Sequence, residues 1–123
     1  MDIGTGLLVA GRILLGGLFL FSGVRHFFVA GALAPVLQAR GVPAPRLVLY
    51  AGSAFEAVLG ALLMLGLFVA PSALGLVVFT IIATVMLVNF WDKTGPERDA
   101  LMNVALSNMA IIGGLLIAAS PAF

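Results

Sequence analysis

Apolar residues fall in four long blocks along this chain, at residues 5–28, 47–69, 72–91 and 100–119, and most polar residues lie in the breaks. Each block holds about 20 residues, the length a helix rising roughly 1.5 Å per residue needs to cross a hydrocarbon core about 30 Å thick. The pattern predicts an all-α integral membrane protein, an antiparallel four-helix bundle built as one domain over residues 1–123. The longest break, 29–46, is still apolar from Gly31 to Leu37 and ends in Gly41-Val42-Pro43-Ala44-Pro45. Two prolines, and the restricted residue before each, disfavour helix there. A short interfacial helix followed by an extended turn is therefore expected between spans one and two. Pro71 stands where span three can begin, because the first turn of a helix needs no backbone donor.

Inside the blocks, small and polar residues recur at helical spacing. Arg12, Gly16, Phe19, Gly23 and His26 share a face of span one, and Leu49, Gly52, Glu56, Gly60 and Leu63 a face of span two. Span three aligns Thr80, Thr84, Leu87 and Trp91, and span four aligns Asn103, Ser107, Ala110 and Gly114. In lipid, the small and hydrogen-bonding face turns toward neighbouring helices, so these stripes are expected to face inward.

Glu56 is the most informative residue among them. A carboxylate at the centre of a span costs roughly 2.5–3.5 kcal/mol on insertion scales and calls for a partner. Arg12 is the only other charge well inside an apolar block. Counting along antiparallel spans of equal length puts the two within about one turn in depth, so an Arg12–Glu56 pair is expected. The same count gathers Ser53, Glu56, Thr84, Trp91, Asn103 and Ser107 in one half of the bilayer, with His26 at the mouth of a cavity. Plain packing explains part of the pattern equally well. Ser and Thr bond their own helix carbonyls, Trp91 at a span end suits an interface anchor, and Arg25 suits a snorkelling side chain.

Composition agrees with a membrane protein: 63% of residues are hydrophobic and 9% charged, against about 25% charged in soluble chains. The net charge of +1 gives no reason to invoke nucleic acid. The absence of Cys excludes disulfides, iron–sulfur clusters and Cys-ligated zinc, and a single His leaves no His-based metal cluster or bis-His haem. No cofactor held covalently or by metal ligation is expected. Met1-Asp2-Ile3-Gly4 lacks a basic n-region and the first block is too long for a signal peptide, so span one is read as retained. Arg25, Arg40, Arg46, Lys93 and Arg98 all flank the two longer connections. The positive-inside rule then predicts a bacterial cytoplasmic (inner) membrane protein with both termini on the non-cytoplasmic side.

Four segments in this order resemble the DoxX family of small four-span membrane proteins. They are Gly11-Arg12-Ile13-Leu14-Leu15-Gly16 with Phe21-Ser22-Gly23; Gly41 to Pro45; Phe55-Glu56-Ala57-Val58-Leu59-Gly60 with Leu65-Gly66; and Asn108 to Leu116. The resemblance implies a four-helix membrane bundle. It also implies an association with respiratory or detoxifying redox chemistry, including thiosulfate:quinone oxidoreductase subunits. Distant relatives look like cargo receptors or assembly chaperones, so fold alone does not fix function. Arg12, Glu56 and Asn108 match the family's recurring polar positions. Ser107 stands where a basic residue often precedes the late Asn, and Asn89 where His often ends span three; both departures weaken an inference of proton transfer or anion binding.

Together these features point to a membrane-embedded accessory protein of redox metabolism that binds a quinone or other amphipathic molecule in an intramembrane polar cavity. The ligand-binding residues expected are Arg12, His26, Glu56, Trp91, Asn103, Ser107 and Asn108. Arg12, Asn103, Ser107 and Trp91 would donate to ring carbonyls, and Glu56 would exchange a proton. Electrons would come from a redox protein subunit, since the chain has no ligand set for a redox centre, and catalysis by this chain alone is not expected. The lipid bilayer and a homo-oligomer complete the expected partners. The alternative is a non-catalytic scaffold, assembly or cargo-interaction protein, with Asn108 turned outward to a client. Small-solute transport is a weaker alternative, because four spans leave a narrow pathway unless the protein oligomerises.

Overall fold

The computed structural model describes residues 2–123. Five α-helices follow one another: α1 (Ile3–Phe28), α2 (Ala30–Ala39), α3 (Pro45–Leu65), α4 (Val69–Leu87) and α5 (Gly95–Ala119). Single 3-10 turns occupy Phe90–Asp92 and Ser120–Ala122, and no strand is present among the described residues. Four of the helices are long and apolar enough to cross a membrane. The protein is an all-α membrane bundle, as the apolar blocks predict. Its outward faces carry Leu14, Phe21 and Ile117, all at least two thirds exposed, as lipid solvation requires.

Local chemistry sets the helix ends. Asp2 caps α1 by accepting from the Thr5 N–H at 2.7 Å, and that bond holds its carboxyl below the ordinary range. At the end of α3, Gly66 turns left-handed (φ 75°), Gly66 N–H donates to Leu63 O and Leu67 N–H to Leu62 O. This closes the helix in a Schellman turn. Span three consequently starts three residues before the sequence pattern suggests, at Val69. The span runs on to Asp92, but its α-helical part ends at Leu87, where Asn89 and Asp92 form their own turn with a 3.2 Å side-chain bond. The predicted interfacial helix is α2.

The closest helix pair is α1 with α3. A methyl group added at Gly23 would lie 2.7 Å from Ser53 O, and one at Gly60 2.7 Å from Gly16 O and Leu20 N. Only glycine permits such backbone approach. These contacts fix the register: Gly16 opposes Gly60 and Met64, Gly23 opposes Ser53 and Ala57, and Arg12 therefore opposes Gly66.

Two apolar plugs bracket the bundle. Near the α3–α4 turn, Phe19, Leu63, Ala73, Leu76 and Leu115 form the larger core. At the other end α2 lies across the bundle, burying Ala30, Ala34 and Leu37 against Leu49, Met86 and Leu87. Arg40, just past α2, donates to Val85 O at 3.1 Å and pins α2 to the end of α4. The level between the plugs is where the polar side chains meet.

Candidate ligand-binding site

Glu56 sits eleven residues after Pro45 and nine before Leu65, so it lies about 16 and 14 Å from the ends of α3, near mid-membrane. It is 3% exposed. Its partner is His26, whose Nδ1 stands 3.0 Å from Glu56 Oε2. The helix register explains the pairing: the α1–α3 contact at Gly23 lies level with Glu56, and His26, three residues or about one turn on, reaches it with its side chain. A lone carboxylate in lipid is strongly disfavoured, and this bond supplies the hydrogen-bonding partner it needs.

The pair borders a cavity of about 360 Å³ lined also by Phe19, Ser22, Phe79, Thr80 and Asn108. That volume lies at the lower end of the roughly 300–1,000 Å³ typical of small-molecule sites. A smaller hollow of about 230 Å³ under α2 adjoins it across His26, Leu33 and Phe79. The walls are mostly apolar, with Ser22, His26, Glu56, Thr80 and Asn108 the polar residues among them. Leu18 and Val104 line the larger cavity and are each more than 40% exposed, so it opens toward lipid between α1 and α5. These two helices converge instead near the other plug, where Leu15 meets Gly114.

A hydrogen-bond chain runs along the α4–α5 side. Thr80 donates to Leu76 O and Thr84 to Thr80 O, each at 2.7 Å, and Asn108 Nδ2 donates to Thr84 Oγ1 at 2.8 Å. Each threonine spends its proton on its own helix, so toward the bundle it can only accept. Asn108 must therefore present its nitrogen to Thr84, which leaves its oxygen and its second N–H uncommitted.

Of the residues expected at the site, the structure brings together Glu56, His26 and Asn108. The Arg12–Glu56 pair does not form. Arg12 lies over the α3–α4 turn, with Nη1 3.0 Å from where a Gly66 methyl would stand, about ten residues or roughly 15 Å from Glu56. Its Nε is buried with no hydrogen-bond partner. The equal-span count fails because glycine contacts, not span ends, set the register. Asn103 and Ser107 are exposed on the outer face of α5 while Asn108 turns inward, the reverse of the expected stripe. Trp91 lies past α4 in the 3-10 turn, 52% exposed, edge-on to Phe90 at 5.4 Å. Ser22 and Thr80, which sequence reasoning treats mainly as packing residues, line the cavity. Among the described residues no group of three His, Cys, Asp or Glu stands together as a metal would need.

A family model described as DoxX matches residues 7–89, about two thirds of the chain, from the second turn of α1 to just past α4. No curated protein and no solved structure matches the chain.

Proposed function

The chain belongs to the DoxX family of small multi-span membrane proteins, and on that premise we propose that it is an accessory protein of membrane redox metabolism holding a quinone or similar amphipathic ring. The observation that carries this reading is the His26–Glu56 pair, with Glu56 buried near the middle of α3 and His26 partly exposed, bordering a cavity open to lipid. A pair serving only to fix helix register would be enclosed by packing.

The residues present suit such a ring. Phe19, Phe79 and Leu33 give apolar walls, and Ser22, Asn108 and Glu56 supply hydrogen-bonding groups. An apolar tail leaves through the α1–α5 opening, past Leu18 and Val104, into the bilayer. When bound, a quinone supplies two-electron, two-proton redox chemistry. The chain's own part is to exclude bulk water, orient the ring and hold a proton on the His26–Glu56 pair. His26, its side chain 34% exposed against 4% for Glu56, is the member of the pair nearer the surroundings. Electrons pass to or from a partner subunit. On this reading the chain is one domain in a bacterial cytoplasmic membrane, with α2 on the cytoplasmic side and both termini opposite.

A second reading, docking to a membrane partner, draws support from Asn103 and Ser107. Both are exposed on α5, where lipid offers no hydrogen bonds.

Gentle extraction followed by mass spectrometry of copurified small molecules tests the proposal. Wild type should carry an amphipathic ring compound, and Ser22→Phe or Ala83→Phe, which fill the cavity, should lose it. A clean wild type with a stoichiometric protein partner would favour the docking reading.

A further inference from the structure

We propose that the cavity selects the reduced, hydroxyl-bearing form of such a ring over the oxidised, carbonyl-bearing form; this rests on the ring-binding reading above. The ground is the hydrogen-bond inventory. His26 Nδ1 and Glu56 Oε2 share one bond, which leaves Glu56 Oε1 with no protein partner. Oε1 is not among the sealed, unsatisfied atoms of the described residues, so it remains reachable from the cavity. Thr80 and Thr84 have committed their protons to Leu76 O and Thr80 O, and Thr80 Oγ1 therefore offers only lone pairs. Asn108, oriented by its bond to Thr84, keeps its carbonyl oxygen and its second amide N–H without a protein partner among the described residues.

The residues lining the cavity thus carry three acceptors without a protein donor, a carboxyl oxygen of Glu56, the Thr80 hydroxyl oxygen and the Asn108 amide oxygen, against one uncommitted amide N–H of Asn108. Ser22, with no protein partner among the described residues, adapts to either role. A ring carbonyl finds only the second Asn108 N–H and the Ser22 hydroxyl as donors and leaves the Glu56 oxygen unpaired. A ring hydroxyl donates to them. Hydrogen bonds to charged groups are the stronger class, and losing one partner of a buried bond costs its desolvation as well. The expected discrimination is about 10- to 100-fold in affinity.

The test uses purified full-length protein in lipid nanodiscs under anaerobic conditions. Its probes are a decyl-tailed benzoquinone, the corresponding hydroquinone and the hydroquinone dimethyl ether, measured by equilibrium binding. The hydroquinone should bind about 10- to 100-fold more tightly than the quinone. The dimethyl ether, with a ring and tail but no donor, should bind no better than the quinone. Asn108→Leu should narrow the preference, and Glu56→Gln should narrow it further. Equal or tighter quinone binding, or a dimethyl ether as tight as the hydroquinone, would overturn the selectivity and leave ring binding intact. Binding of none of the three would instead overturn the ring-binding reading.

Discussion

Replacing Gly60 with alanine places a methyl group 2.7 Å from Gly16 O and Leu20 N, both backbone atoms that no rotamer change can move. Ordinary contact begins near 3.4 Å, so α1 and α3 must part by about 0.7 Å. A gap of that size forfeits roughly a quarter to a half of the dispersion energy of each contact along the interface. Overpacking of this kind costs about 1–3 kcal/mol, only partly offset by the better helix propensity of alanine. Gly11→Ala is the matched control: the same change in a spanning helix, with nothing within 4 Å of the new methyl. Thermal unfolding in a mild detergent should show Gly60→Ala melting well below wild type and Gly11→Ala at or above it. Equal melting of the two variants would refute the register and, with it, the separation of Arg12 from Glu56.

Further outcomes follow from the same geometry. In a double-mutant cycle, His26→Gln and Glu56→Gln should be non-additive by about 0.5–3 kcal/mol, whereas Arg12→Gln and Glu56→Gln should add within about 0.5 kcal/mol. Asn108→Leu removes the bond to Thr84 and should destabilise the bundle by about 1 kcal/mol in the same melt. Because the chain has no cysteine, single cysteines report topology cleanly. Those at Arg40 and Lys93 should resist an impermeant thiol reagent in intact cells while one at Leu67 reacts, and the reverse would invert the orientation.

The spans were legible because hydropathy over about 20 residues responds to the bilayer, and lipid-facing Leu, Ile and Phe dominate it whatever the helices touch. Glu56 was legible for the same reason, as a cost that lipid makes conspicuous. Its partner was not. Span counting placed Arg12 nearby, but the register follows from which glycine meets which, and the sequence shows Gly16, Gly23 and Gly60 without showing that 16 meets 60. On α5, Asn103–Ser107 and Asn108 mark two faces about 100° apart, and periodicity alone does not rank them. The inward choice rests on Thr84, a hydrogen-bond partner 24 residues away in the chain. Trp91 leaves the expected inward stripe because the Asn89–Asp92 turn ends the helix by a local side-chain bond that hydropathy does not register.

Photolabelling with a decyl-tailed azidobenzoquinone, followed by peptide mapping, addresses ring binding beside His26 and Glu56 at residue level. Label should fall in the α1 segment containing Leu18, Ser22 and His26 and the α5 segment containing Val104 and Asn108, and Ser22→Phe should abolish it. Label spread over lipid-facing Leu14, Phe21 and Ile117, unchanged by Ser22→Phe, would show that the ring meets only the outside of the bundle and would contradict the intramembrane site.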